Sequence, residues 1–297
     1  MTSFKRAVLA AVEGLWALLF AAAGRVLRRS ASPWSSGGGQ RILVVAPHPD
    51  DEVAGCAGTI VRHKQAGDTV WVAYVTDGRR SRALGLGPEE MARRRRGEAE
   101  AAAVALDLDG FEWLGCPEGE WTPEELRPRL LSLLRRCAPH VVYAPSRVDF
   151  HPEHQRVAHT LASLFDEAEP RPPLIRVYQI QVPLTPVLTN LVGATSGVMA
   201  ESAAAFRAYV TQQGSVGCAF RSRRYAARFY DLGGQAEEFW QMSARQYHLL
   251  HRLPREQEPR RAFRSLRARS LADPLAYLVG LAARRRLAAA VQSVSAG

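Results

Sequence analysis

Three short apolar runs constrain the fold of this chain more than any other feature of its sequence. They cover residues 42–46, 69–75 and 141–144, and none of them alternates regularly between apolar and polar residues. Strands that are buried on both faces of a parallel sheet have this pattern, because helices cover both faces of such a sheet. We therefore expect these runs to be buried, parallel strands.

Stretches with helical character separate the strands. We predict helices over residues 59–66, 89–106 and 122–137, and the third begins with Thr122 as N-cap and Glu125 three residues after the cap. The alternation of strands and helices predicts an α/β fold with a Rossmann-like, doubly wound, mostly parallel sheet. Such folds bind their ligands beyond the carboxyl ends of the strands.

The 297 residues divide into three predicted parts. Residues 1–40 form an apolar and basic helix followed by a Gly/Ser linker, residues 41–250 form a single catalytic domain, and residues 251–297 form an Arg-rich helical extension. The first part has five basic residues and one acidic residue, and the last part has ten and three. The ends therefore carry charges of +4 and +7, and residues 41–250 carry −1, which gives the total of +10. A nearly neutral body with basic ends favours an anionic membrane surface as partner, and we expect no nucleic acid.

The N-terminal apolar stretch, residues 7–24, is 18 residues long and contains Glu13. The favoured interpretation is a helix that lies on or spans a membrane, which places the protein in the cytoplasm at the inner face of that membrane. A secretory signal peptide and a helix packed on the body are the alternatives. We expect residues 35–39 to be a flexible linker, and residues 260–271 to form an Arg-rich amphipathic helix.

The first polar motif directly follows the first predicted strand. Residues 46–52 read Ala-Pro-His-Pro-Asp-Asp-Glu, so their side chains project from the carboxyl end of that strand. Three acids so close together repel one another at neutral pH, and a bound divalent cation is the simplest compensation. The alternative is a set of solvated turn residues that cap the next helix.

The second motif follows the strand at residues 141–144. Residues 149–154 read Asp-Phe-His-Pro-Glu-His, and Pro152 suits the first turn of a helix. His151 and His154 then share one helix entrance, at the same edge of the sheet as the first motif.

The two motifs together supply a set of metal ligands. His48, Asp51 and His154 provide two imidazoles and one carboxylate, which leave coordination positions open as a catalytic zinc requires. The same ligand types can hold Fe(II). The four cysteines are scattered without a CxxC pair, so a thiolate zinc cluster is not indicated.

These motifs resemble those of the LmbE/PIG-L family of metal-dependent N-acetylglucosaminyl deacetylases. Residues 47–52 are similar to the family's AHPDDE motif and residues 151–154 to its HPDH motif, with further similarity over about 41–215. A later family pattern is partly kept, with Glu201 in place of a lysine, followed by Ala205, Tyr209, Thr211 and Gln212.

The resemblance implies a role for each motif residue. His48, Asp51 and His154 would bind zinc, Asp50 would be the general base towards the metal-activated water, and His151 would assist at the developing oxyanion.

The resemblance also implies supporting residues. Asp149 would hydrogen-bond His151 and hold it protonated. Glu52 would orient one of the metal ligands without binding the metal itself. Arg95 and Glu118 would contact the sugar.

The expected function is a zinc-dependent hydrolase that removes the acetyl group from an N-acetylglucosamine-type sugar. The basic ends favour a lipid-linked aminosugar over a free cytosolic one. The alternative within hydrolases is an amidase acting on a small thiol or antibiotic conjugate. A dinucleotide-binding oxidoreductase is disfavoured, because no GxGxxG follows the first strand.

Overall fold

The computed structural model describes residues 3–27, 31–166, 172–253 and 276–293. Within them, eight strands form one sheet. The strands are β1 (Ser32–Pro33), β2 (Arg41–Ala46), β3 (Thr69–Thr76), β4 (Gly110–Cys116), β5 (Val141–Ala144), β6 (Leu174–Tyr178), β7 (Leu191–Ala194) and β8 (Ala236–Ser243). Their order across the sheet is β1-β7-β8-β6-β5-β2-β3-β4.

Helices cover both faces of the sheet. They are α1 (Ser3–Leu27), α2 (Asp51–Gln65), α3 (Pro88–Ala105), α4 (Pro123–Cys137), α5 (Pro152–Ser163), α6 (Met199–Ala208), α7 (Gln213–Phe229), α8 (Ala244–Arg252) and α9 (Leu281–Ser293). One apolar core joins one face of the sheet to α4, α5, α8 and α9, and a second joins the other face to α2, α3 and α6.

The sheet has a switch point between β2 and β5. Strands β2 to β6 run parallel, and only β8 is antiparallel to its neighbours β6 and β7. The chain builds β3 and β4 on one side of β2 and then returns to place β5 and β6 on the other. The predicted doubly wound, mostly parallel α/β fold is confirmed, and the crevice between the carboxyl ends of β2 and β5 is where such folds bind ligands.

Two predicted helices agree closely with the structure, and one begins much earlier than predicted. Helix α4 has the predicted capping box between Thr122 and Glu125. Helix α2, in contrast, begins at Asp51 rather than near residue 59. Its glycines allow close packing and do not end the helix: a Cβ on Gly55 would lie 2.7 Å from the Tyr178 ring.

Several strands were missed because their sequences do not read as apolar runs. Strand β8 is the clearest example, since it buries two carboxylates, Glu237 and Glu238. Glu237 forms an ion pair of 2.6 Å with Arg223 and accepts hydrogen bonds from the amides of Gly58 and Thr59. A buried acid with such partners is compatible with a central strand.

The residues predicted to form a flexible linker lie against the body. The residues just before it form β1, which pairs with β7, and Trp34 is 5% exposed with its Nε1 donating to the Tyr143 hydroxyl at 2.9 Å. Within the predicted linker itself, Ser36 Oγ donates to Asp68 Oδ2 at 2.5 Å. These polar contacts fix the segment to the body.

Helix α1 packs one face on α7. Phe20 stacks on Tyr225 with ring centroids 4.8 Å apart, and Glu13 pairs with Arg221 at 3.3 Å and Arg224 at 3.4 Å. The segment Ala10–Leu27 is long and apolar enough to cross a membrane, but some helices of soluble proteins have the same length and composition. Attachment to a membrane stays a prediction.

The predicted Arg-rich helix over residues 260–271 lies outside the described residues. Beyond it, Arg284 is fully buried and donates to the carbonyl oxygens of Pro183 and Thr185, among others. Arg284 therefore contributes to packing of α9 and is not available to a lipid surface.

Candidate metal centre

The two sequence motifs meet at the switch point of the sheet. His48 lies in the loop after β2, and Asp51 begins α2. The loop after β5 leads to α5, whose N-cap is His151 and whose first turn contains His154. Because β2 and β5 are adjacent and parallel, both loops open on the same crevice.

Three donor atoms form a tight triangle in this crevice. His48 Nδ1 lies 3.1 Å from His154 Nε2 and 3.3 Å from Asp51 Oδ2, and His154 Nε2 lies 3.2 Å from Asp51 Oδ2. All three side chains are buried. A tetrahedral zinc ion with bonds of about 2.0–2.1 Å places adjacent donors about 3.3–3.4 Å apart, so the spacing suits such an ion.

Each imidazole of the triangle has a carboxylate next to its other ring nitrogen. Glu118 Oε1 lies 3.4 Å from His48 Nε2, and Asp149 Oδ2 lies 3.1 Å from His154 Nδ1. Carboxylates in this position fix the orientation of metal-binding imidazoles and make them better ligands. Burial opposes ionisation of Asp51, but the charge and hydrogen bonds of the two histidines hold its pKa well below the usual range.

His151 stands next to the triangle. Its nearest ligand atom and those of His48 and His154 all lie within 4.8 Å of one another. The described residues therefore offer a three-histidine group as well as the tighter set that includes Asp51. The assignment of His48, Asp51 and His154 as the ligands stays a prediction.

Asp149 hydrogen-bonds His151 through the backbone amide and not through the ring. Asp149 Oδ1 accepts from the backbone amide of His151 at 3.0 Å, while its other oxygen faces His154. The His151 ring instead uses Nδ1 to accept from the Glu153 amide at the start of α5. Burial and then the charges of His48 and His154 lower the pKa of His151 to about 4.

Asp50 lies beside the triangle and is held from two sides. Arg95 Nη2 lies 2.6 Å from Asp50 Oδ1, and Glu52 Oε2 accepts from the Asp50 amide at 3.1 Å. Burial raises the pKa of Asp50 to about 6, against the lowering effect of Arg95. Glu52, which was expected to orient a ligand, contacts the backbone amide of Asp50 through Oε2.

The two predicted sugar contacts both lie at the site. Arg95 is 4% exposed and bound to Asp50, and Glu118 is 7% exposed and faces His48. Their contact with a sugar stays a prediction.

The sequence did not lead us to the two tyrosines that hydrogen-bond Glu52. Glu52 Oε1 accepts from the hydroxyls of Tyr209 at 2.6 Å and Tyr74 at 3.1 Å. Tyr209 belongs to the late family pattern, so a signal was present, whereas Tyr74 lies in an apolar strand and gives none.

Two proteins named as deacetylases are similar in sequence to part of this chain. A 1D-myo-inositol 2-acetamido-2-deoxy-alpha-D-glucopyranoside deacetylase from Kineococcus radiotolerans is 29% identical, and the match covers 40% of this chain and 42% of that protein. A diacetylchitobiose deacetylase from Thermococcus kodakarensis is 30% identical, with 39% of this chain and 45% of that protein covered. The chain spans less than half the length of these relatives.

A solved structure matches over a larger share. The conserved protein TT1542 from Thermus thermophilus is 30% identical, with a TM-score of 0.56, and the match covers 67% of this chain and 93% of that one. The family model described as "PIG-L: GlcNAc-PI de-N-acetylase" matches residues 43–165, which include both motifs. On these matches, and with both motifs at the switch point of the sheet, the chain belongs to the PIG-L family.

Proposed function

We propose that this protein is a metal-dependent N-deacetylase that hydrolyses the acetamido group of an N-acetylglucosamine-type sugar. The observation that carries the proposal is the buried triangle of His48 Nδ1, Asp51 Oδ2 and His154 Nε2 next to Asp50. We propose zinc as the metal, with Fe(II) as the alternative that these ligand types allow.

The side chains around the triangle have separable tasks in amide hydrolysis. A divalent cation held by His48, Asp51 and His154 would supply Lewis acidity for activating water and polarising the amide carbonyl. Arg95 binds Oδ1 of Asp50, so Oδ2 can accept the proton of the attacking water and pass it to the leaving amine. The water oxygen bonds to the carbonyl carbon, the C–N bond breaks, and the products are acetate and a free amino sugar.

His151 suits the oxyanion as a neutral donor. Its Nδ1 accepts a hydrogen bond from the Glu153 amide, so the ring hydrogen lies on the other nitrogen, Nε2. An N–H aimed at the developing oxyanion stabilises it without a full positive charge. This neutral role replaces the imidazolium expected from the sequence.

Two segments on the carboxyl-end side of the sheet expose apolar side chains. The loop after β3 exposes Leu84 by 65%, and the segment after α6 exposes Val210 by 48%. The two segments are joined by a hydrogen bond of 3.0 Å from Gln212 Nε2 to Ser81 Oγ. We therefore propose a lipid-linked aminosugar, for which these side chains offer an apolar approach.

The outer face of α1 supports attachment to a membrane surface. Leu15, Leu18 and Val26 are 57%, 71% and 83% exposed, on the side away from α7. Basic residues flank the stretch in sequence. We propose that this face lies in the interface of an anionic membrane at its cytoplasmic side, while the opposite face stays on the body.

The test is release of acetate from a panel of defined compounds. The panel holds free N-acetylglucosamine, diacetylchitobiose, N-acetylglucosaminyl-inositol and N-acetylglucosaminyl-phosphatidylinositol in mixed micelles, together with an acylated small thiol and an acylated antibiotic. We expect acetate and free amine in equal amounts from a sugar compound, loss of release with a chelator, and recovery with zinc. Cleavage of the thiol or antibiotic compound alone would contradict the aminosugar proposal and favour the amidase alternative.

A further inference from the structure

Asp50 has a backbone conformation that side-chain-bearing residues rarely adopt, with φ 128° and ψ −21°. Such a conformation persists only where the surroundings enforce it. Arg95 binds the carboxylate and donates to the Pro49 carbonyl, and Glu52 Oε2 accepts at 3.1 Å from the Asp50 amide on the other side of the same peptide. The direction in which Asp50 projects therefore depends on Arg95 and on where Glu52 is fixed.

Glu52 is fixed by two phenol groups. Its Oε1 accepts from the Tyr209 hydroxyl at 2.6 Å and the Tyr74 hydroxyl at 3.1 Å. All three side chains are fully buried, so neither tyrosine reaches a substrate. A buried carboxylate needs such donors, and loss of the closer one changes the position that Glu52 prefers.

The two tyrosines differ in what positions them. Tyr74 lies in β3, inside the sheet. Tyr209 directly follows α6 and precedes residues 210–212, a segment that is joined to α3 by a hydrogen bond of 2.6 Å from Thr211 Oγ1 to Glu98. The hydroxyl of Tyr209 thus connects a segment distant in sequence to the motif that carries Asp50.

We propose that Tyr209 is a positioning residue for Asp50: its hydroxyl orients Glu52, and Glu52 fixes the Asp50 peptide. Tyr209 acts through Glu52 and does not touch the substrate.

The kinetic test uses Tyr209→Phe and rests on the proposed deacetylase function. The substitution keeps the ring and removes the hydroxyl, so we expect kcat to fall about tenfold, because small displacements of a catalytic group are costly. KM and metal content should not change. In a Glu52→Gln background the same substitution should add little further loss, since both act on one contact.

The matched control is Tyr143→Phe. Tyr143 is also buried, and its hydroxyl accepts from Trp34 at 2.9 Å and from Arg176 at 2.8 Å in a polar cluster away from the motifs. We expect this variant to lose stability while its kcat stays at the wild-type value. A simple loss of buried hydrogen bonding would affect the two variants alike.

A second readout does not depend on activity. In protein labelled with ¹⁵N-aspartate, the Asp50 amide resonance is assigned by its loss in Asp50→Asn. We expect Tyr209→Phe to shift this resonance and Tyr143→Phe to leave it in place. An unchanged resonance, or an unchanged kcat in an active enzyme, overturns the proposal. If the wild-type protein releases no acetate, the deacetylase function fails, and the resonance alone decides on Tyr209.

Discussion

Arg95 and Asp50 form a buried ion pair beside the candidate metal centre, with Arg95 Nη2 2.6 Å from Asp50 Oδ1. In sequence, Arg95 is one of four consecutive arginines, residues 93–96, and any of them could belong to a solvated face. In the structure Arg95 turns inward and also donates to the carbonyl of Pro49. The pair fixes one oxygen of the proposed base and leaves the other for a proton.

Gly78 makes room for this arginine, so Gly78→Ala should disturb the pair. A Cβ on Gly78 would lie 2.3 Å from Arg95 Nη1 and 2.8 Å from its Cδ, too close for both to keep their places. We expect kcat for acetate release to fall about ten- to a hundredfold while metal content stays the same, because Asp50 loses its partner. The measurement is steady-state kinetics with metal analysis of the same samples.

The control for this substitution is Gly67→Ala. Gly67 has φ +78°, similar to φ +66° at Gly78, but no atom lies within 4 Å of its added Cβ. Both variants therefore carry the backbone strain of a positive φ, and only Gly78→Ala displaces Arg95. Equal activity losses in the two variants would show that strain, not the Arg95 contact, explains the effect.

His63 should make the stability of the protein depend on pH. His63 is fully buried, and its Nδ1 lies 2.5 Å from Asp68 Oδ2. Burial lowers the pKa of His63 to about 4, against the raising effect of Asp68. Because the unfolded chain binds more protons between that value and 6.5, stability is fully present above pH 6.5 and is lost as the pH falls towards 4.

We expect His63 to account for about 2 kcal/mol of lost unfolding free energy between pH 7.5 and pH 5. Urea unfolding at the two pH values measures this difference. His63→Gln, which cannot titrate, should show a smaller difference by that amount, and His159→Gln at an exposed position on α5 should not. The same pH dependence in His63→Gln and wild type would contradict the assignment.

The sequence predicted the site better than it predicted the outer parts of the fold. Residues 46–52 and 149–154 could be placed together because both follow apolar strands, and parallel strands bring their carboxyl ends to one edge. Contacts such as Glu52 with Tyr209 are separated by 157 residues and depend on how α6 packs, which no local pattern encodes. Strand β8 was not predicted because it contains a buried acid, Glu237. The partners that stabilise this acid, Arg223 and the amides of α2, are distant in sequence.

The proposed membrane face of α1 can be tested with one matched pair of substitutions. Val26 on α1 and Val104 on α3 are each 83% exposed, so glutamate at either position costs little packing. We expect Val26→Glu to weaken flotation of the protein with anionic vesicles and Val104→Glu to leave it unchanged, because only the first puts a charge in the proposed interface. Flotation that is absent in wild type, or equal in both variants, would contradict membrane attachment through this face.

Two neighbouring aspartates test the central claim most directly. Asp51 Oδ2 completes the donor triangle, whereas Asp50 pairs with Arg95 beside it. Metal content and acetate release should be measured on Asp50→Asn and Asp51→Asn, prepared in parallel with wild type. The account predicts that Asp51→Asn loses most of its metal and its activity, while Asp50→Asn keeps the metal and loses most turnover. A metal-free Asp50→Asn, or an Asp51→Asn that keeps its full metal content, would contradict the assignment of ligand and base.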